Sequence, residues 1–431
     1  MLNVINHADK VLISGASVLD PESGSKELRD ILVVNGVIEK IGKTDTAGFD
    51  GVLVRAEGHL IVPGLFDMHA HLREPGREDQ ETLESGCAAA MAGGITGLCS
   101  MADTEPVCDT HQVVNFIRNK TRDELVEVHP VAAITKKRAG SEITEMAELK
   151  RAGAVALSDD ESPLLNSAVM RRAMEYASMV GLPVMDHCED TGLTHRGQMN
   201  ESVMSTRLGL MPMPNTAEDV IVARDIALAE LTGAHLHITK ISTAAGVEMV
   251  RRAKKAGLKV TCDVTAHNLV YTDKDLVTYD NNLKVNPPMR RPVDVDALLA
   301  GVADGTIDAI VSDHSPWALE ETDVEFDAAP FGMIGLETLL GLVLTRLVMP
   351  GKLSLETAIK AMTINPRKVL GLEIPVIKQG EKANLTVFHP DQQWQVDRAK
   401  LHSLSTNTPL HGVRLNGVVK CVLNRGEIAI F

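Results

Sequence analysis

The sequence predicts an α/β protein: a (β/α)8 barrel of the TIM type, with a small β-sandwich formed by both chain ends. Three observations predict it. Between residues 60 and 374, short apolar runs alternate with longer helical stretches, the texture of a parallel sheet covered by helices. Eight such runs fit within that length, the number one barrel needs. Residues 1–59 and 375–431 read instead as short strands joined by turns, and are expected to pack together as one discontinuous domain.

Composition sets the outer limits. A chain of 431 residues suits one barrel plus an accessory domain. Hydrophobic content of 44% and charged content of 23% suit a soluble globular protein, and 3% aromatics imply an aliphatic core. The net charge of −15, without a long Lys/Arg cluster, excludes nucleic acid as the main partner. No apolar run reaches the roughly 18–20 residues of a membrane span. The segment Met1 to His7 lacks signal-peptide character, and the six cysteines are scattered without a C-x-x-C pair. Reduced thiols and a cytoplasmic location are expected.

Taken in order, Val11–Ile13, Ile31–Val34, Val37–Ile38 and Val52–Val54 read as strands, with Asn35-Gly36 as a hairpin turn. The run Leu60 to Phe66 is the first expected barrel strand. Helices near 79–92, 110–119, 141–152, 166–180, 217–232 and 243–256 then alternate with strands at 95–101, 125–134, 153–158, 182–187, 235–240 and 258–264. Strand 307–313 is the eighth, and helices near 335–349 and 354–363 follow. Beyond Ile374 the strands 385–388, 412–415, 418–423 and 428–430 return to β texture, with Asn416-Gly417 read as another hairpin turn.

Active sites of such barrels lie at the carboxyl ends of the strands. The first strand leads into Asp67-Met68-His69-Ala70-His71-Leu72-Arg73-Glu74-Pro75-Gly76. Side chains alternate along a strand, so His69 and His71 share a face, as two ligands of one metal do, and Arg73 is the next same-face position. Strand 2 leads to Asp103; strand 4 offers Asp159 and Asp160; strand 5 offers His187. Strand 6 offers Lys240, with His235 and His237 behind it, and strand 8 offers Asp313 and His314. Singly, each residue has an ordinary structural reading. Together, histidines and carboxylates converging from strands 1, 4, 5 and 8 indicate a site for one or two divalent ions. Asp313 can ligate and also move a proton between water and a leaving nitrogen. Arg73 can pair with a substrate carboxylate. The expected reaction is hydrolysis, or the reverse condensation, of an amide in a small anionic molecule.

These residues carry a resemblance. The Asp67–Gly76 segment is similar to the amidohydrolase superfamily, and within it to the bacterial type I dihydroorotases. Ile134-Thr135-Lys136, Ser158-Asp159-Asp160, Met185 to Asp190, Val285 to Arg290, Ser312 to Pro316, Pro330-Phe331-Gly332, Gly335 to Thr338 and Asn407-Thr408-Pro409 resemble that family's segments in the same order. The resemblance implies interconversion of N-carbamoyl-L-aspartate and L-dihydroorotate in pyrimidine synthesis. It implies a zinc ion on His69, His71, Asp160 and Asp313, with Asp313 as general base. A second metal would use Asp160 as bridge with His187. Arg73 and Asn286 would hold substrate beneath a loop carrying Phe331 and Gly332. A small anionic substrate, a homodimer and an aspartate transcarbamoylase partner belong to the same expectation.

Three positions depart from the family pattern. Lys240 replaces a metal-binding His, Asp103 replaces Asn, and Trp317 replaces His. An ammonium cannot ligate, so one zinc is expected and the second site loses a ligand. Asp103 and Trp317 lie where substrate contacts are expected, and Lys240 is expected to pair with Asp103 across the mouth. The alternatives are action on another cyclic amide of hydantoin or allantoin type, or a weakly active partner of a carbamoyltransferase.

Overall fold

The computed structural model describes residues 3–5 as backbone and 8–431 in full. Its centre is an eight-stranded parallel sheet in strictly sequential order. The strands are β1 (Leu65–Ala70), β2 (Ile95–Ser100), β3 (Glu127–Ala132), β4 (Ala156–Leu157), β5 (Val184–His187), β6 (Leu236–Thr239), β7 (Val260–Thr265) and β8 (Ala309–Val311). Beyond β8 the sheet closes: Ala70 bridges His314 in parallel, and the His71 amide donates to the His314 carbonyl at 2.8 Å. Asp67 tightens the same seam by accepting from the Ser312 amide and hydroxyl. Burial pushes the Asp67 carboxyl up to about 6 against those bonds.

The strands read as apolar runs because both of their faces are covered. Outward residues such as Leu98, Leu157, Leu236 and Ile310 pack on the helices. Inward residues Phe66, Met68, Cys99, Met101, Val131, Met185 and Val311 fill the barrel. One irregularity matters for the site. Between Asp67 and Ala70 β1 advances three residues while β2 advances two, from Leu98 to Ser100. This β-bulge resets the alternation: Met68 stays inside, and so do His69 and His71.

Leu60–Pro63 is not a barrel strand, contrary to the reading of one run from Leu60 to Phe66. It pairs antiparallel with Leu385–Phe388 and in parallel with Ser17–Val18. The chain passes from that sheet into β1 at Gly64, where a Cβ would lie 2.0 Å from both Asn384 Oδ1 and Thr96 Oγ1. The sheet has seven strands, drawn from both chain ends. It faces a second sheet of four strands, Val37–Ile41, Ile31–Val34, Lys10–Ser14 and Val52–Arg55. Val11, Ile13, Ile31 and Val33 meet Leu385, Val387, Cys421 and Leu423 between them.

Asn35-Gly36 turns as expected, with both residues at positive φ. Asn416-Gly417 does not. It lies inside one long strand, Arg414–Asn424, at an irregularity opposite residues 390–392. The turn is Arg425-Gly426, at φ of 55° and 82°. All six cysteines are free and buried. Among the described residues no helix is long and apolar enough to cross a membrane.

Candidate metal and substrate site

At the carboxyl ends of the strands, ligand atoms of His69, His71 and Asp160 lie within 4.8 Å of one another. His69 Nε2 is 3.1 Å from Asp160 Oδ1 and 3.6 Å from Asp313 Oδ1; His71 Nε2 is 3.9 Å from Asp313 Oδ1. Asp160 and Asp313 both leave their strands at positive φ, 50° and 52°. The Asp160 amide is held by Ser158 Oγ at 2.9 Å, which aims that carboxylate inward. Its neighbour Asp159 is used differently, accepting from the Thr135 amide at 2.9 Å.

Among the described residues, His69 Nε2, His71 Nε2 and Asp160 Oδ1 are buried with no hydrogen-bond partner. Buried polar atoms are nearly always satisfied, so orphaned imidazole nitrogens facing carboxylates fit a bound divalent cation. The charges agree. Burial opposes a charge on His71, but Asp103 and Asp160 outweigh it and push the imidazole up to about 10. Burial also opposes the charges of Asp160 and Asp313. For Asp160, His71 and His69 outweigh it; for Asp313, Lys240 is the leading opponent, and both carboxyls are held well below the usual range.

Lys240 points into the mouth with a fully buried side chain. Its Nζ lies 2.9 Å from Glu161 Oε1 and 3.3 Å from Asp313 Oδ1. Burial lowers its pKa, but Asp313, Glu161 and Asp160 prevail and keep it charged. The expected pairing with Asp103 is therefore absent. Asp103 instead sits 2.5 Å from Arg73 Nη1 and 2.8 Å from His71 Nδ1. Lys240 is engaged from the other side of the site, by carboxylates that follow β4 and β8.

Arg73 is held on several sides. Its Nε donates to the Pro316 carbonyl at 3.1 Å, and its guanidinium stacks over Trp317 at 4.6 Å. Trp317 Nε1 in turn donates to the Phe331 carbonyl at 2.9 Å. Gly332 follows at φ 126°, where a Cβ would lie 2.5 Å from Ser315 Cβ, so only glycine lets this loop press onto the Trp317 strap. Trp317 thus supports Arg73 and the Phe331–Gly332 loop.

His187 and Asn286 meet over Glu189, at 3.3 Å from His187 Nε2 and 2.8 Å from Asn286 Nδ2. Burial raises the Glu189 carboxyl, but His187, Thr194 and Asn286 bring it down to about 2. His187 Nε2 faces Glu189 and lies outside the His69–His71–Asp160 group, as the Asp313 carboxylate also does. His314 pairs with Glu81 behind the seam, and His235 and His237 bond Thr261.

Sequence reasoning missed Glu161, Glu189 and His267. His267 follows β7, a strand credited with no polar residue at its end. Its imidazole is buried, its Nε2 has no partner, and burial lowers it to about 4 despite the pull of Asp313. An inventory of the three residues after each strand would have found it.

Residues 58–245 match the family model described as dihydro-orotase-like. The dihydroorotase of Pelotomaculum thermopropionicum is 46% identical over 422 residues, covering 98% of each chain. That of Acetivibrio thermocellus is 44% identical over 421 residues, covering 97% of this chain and 99% of its own. Among solved structures, the L-hydantoinase (dihydropyrimidinase) of Arthrobacter aurescens superposes with a TM-score of 0.85 at 22% identity, covering 97% of this chain and 95% of that one. The dihydropyrimidinase of Brevibacillus agri gives 0.82 at 21%, covering 97% and 94%. At such identities these two show the fold alone.

Proposed function

This chain belongs to the dihydroorotase family, and from that premise we propose that the barrel mouth interconverts N-carbamoyl-L-aspartate and L-dihydroorotate around one zinc ion held by His69, His71, Asp160 and Asp313. The observation that carries the proposal is the convergence of His69, His71 and Asp160, with three of their buried donor atoms unpartnered. The reaction belongs to pyrimidine synthesis. Zinc held by these residues would supply a water of lowered pKa and polarisation of the amide carbonyl.

The chain's own residues do the rest. Asp313, kept ionised beside Lys240, accepts the proton of the attacking water and returns it to the ring nitrogen as the C–N bond breaks. In the reverse direction the same carboxylate takes the proton from the ureido nitrogen as the ring closes. Lys240 places a fixed positive charge beside Asp313, where the family pattern would bring a second metal. That makes a one-metal site the better fit. Arg73 holds the substrate carboxylate; the face of its guanidinium lies against Trp317, and its Nη1 is shared with Asp103.

The test is turnover of both substrates, with zinc content determined on the same sample. Turnover in both directions with about one zinc per chain is expected. A protein that takes up no metal and turns over neither substrate would refute the proposal.

A further inference from the structure

The mouth is tied to a buried polar chain that runs down the inside of the barrel. His69 Nδ1 lies 2.9 Å from Thr239 Oγ1, at the end of β6. Thr239 Oγ1 lies 3.1 Å from Asp263 Oδ2, on β7. His237 Nε2 is 2.9 Å from that same oxygen. The Lys240 amide donates to Asp263 Oδ1 at 2.6 Å. Asp263 is wholly buried.

We propose that Asp263 is a positioning residue that fixes the tautomer of His69 through the Thr239 hydroxyl and seats the backbone of Lys240. The proposal rests on the reading of His69 as a metal ligand. Proton counting carries it. Asp263 accepts from the Lys240 amide, from His237 and from Thr239, and a carboxylate surrounded by donors is ionised. Burial alone would raise it, but His237 holds it below the usual range. Thr239 has one hydroxyl proton. Once that proton is directed to Asp263, the hydroxyl oxygen can only accept from His69. With a cation between Nε2 and the carboxylates of Asp160 and Asp313, His69 would then carry its proton on Nδ1 and offer the Nε2 lone pair to the cation. A carboxylate acting through an intermediate on the far nitrogen of a ligating His is the arrangement that orients such ligands and raises their basicity.

The same carboxylate holds the other end of the site. Lys240 adopts φ of 56°, a left-handed conformation that a non-glycine residue keeps only where its surroundings hold it. The bond from its amide to Asp263 holds it there, and from there the side chain reaches Glu161 and Asp313. One buried group thus aligns a ligand nitrogen and the ammonium that faces the general base.

Asp263→Asn disturbs three bonds at once, so Thr239 is the cleaner probe. Thr239→Val removes the hydroxyl at nearly constant volume; Thr239→Ser restores it. Two readouts are taken on the full chain: nitrogen NMR of histidine-labelled protein, with and without zinc and with His69 assigned through His69→Gln, and the zinc dissociation constant by chelator competition. Thr239→Val is expected to shift His69 away from the Nδ1–H form and to weaken zinc by about 10–100-fold, with wild-type circular dichroism. Thr239→Ser is expected to restore both readouts. A Thr239→Val protein whose His69 signals match wild type and whose zinc affinity lies within about twofold of it overturns the proposal. A wild-type protein that binds no zinc overturns the metal reading instead, and the NMR comparison still decides the role of Asp263.

Discussion

Lys240 Nζ lies 3.3 Å from Asp313 Oδ1, in a contact where both side chains are almost wholly buried. Removing one partner of a buried pair leaves a bare charge, at a cost of about 3–5 kcal/mol. Lys240→Met keeps the stem and deletes the charge, so Asp313 and Glu161 then face each other unscreened. The value of kcat/KM should fall about 100-fold or more. Lys240 is also the leading influence that lowers the Asp313 pKa, so its loss must raise that pKa. The acid limb of the pH–rate profile is expected to move to higher pH. An unmoved limb with near-normal rate would remove Lys240 from the machinery.

With Arg73 proposed to hold the substrate carboxylate, Asp103 would compete with substrate for it. It sits 2.5 Å from Arg73 Nη1, a charge-assisted contact that a substrate carboxylate has to share. Asp103→Asn should therefore lower KM for dihydroorotate, by about 10-fold if one charged hydrogen bond is released to the ligand. Steady-state kinetics with both substrates would check this. A raised KM would mean that Asp103 itself contacts substrate.

Metal binding should release protons. In the metal-free protein His71 is pushed up to about 10 by Asp103 and Asp160, against burial. It is thus protonated at neutral pH and must lose that proton to ligate. A folded-state pKa raised above the unfolded value gives the metal-free protein stability that is complete below about pH 6.5 and lost as pH rises through about 10. Zinc affinity runs the opposite way, rising about tenfold per pH unit between pH 7 and 9. Calorimetry in buffers of different ionisation enthalpy would count the protons. No release on zinc binding at pH 8 would show that His71 is already neutral there.

Gly64 has a purely structural role, 2.0 Å from Asn384 Oδ1 and Thr96 Oγ1 for any added Cβ. Gly64→Ala should destabilise by about 1–3 kcal/mol or more, because both neighbours are buried and hydrogen-bonded. Denaturant unfolding measures it, and zinc affinity of the folded fraction should stay unchanged.

Much of this molecule was legible in its sequence, for reasons visible in particular residues. Alternation of apolar runs and helices points to a barrel, and strand ends indicate where polar residues gather; that rule leads to His69, His71 and Asp160, which the structure brings together, and to Asp313 beside them. The pairing partners were less legible. An apolar run does not say which sheet it joins, so the sequence alone reads Leu60–Pro63 into the barrel, whereas it pairs in the sheet of the chain ends. Simple alternation would have turned His69 outward once Phe66 and Met68 faced inward, and only the bulge in β1 reconciles the two. Asp103 and Lys240 were matched by charge alone, whereas the fold offers each a nearer partner: Arg73 for Asp103 and Asp313 for Lys240. Glu161 and Asp263 carry no spacing signature, since their partners come from other strands.

The most direct test is the rate of dihydroorotate hydrolysis as zinc is added back to metal-free protein. With His69, His71, Asp160 and Asp313 forming one site and Lys240 filling the second cation's place, the rate should rise linearly to about one zinc per chain and then stay flat. A rate that climbs on to two equivalents, or that never rises although zinc is bound, would contradict the account.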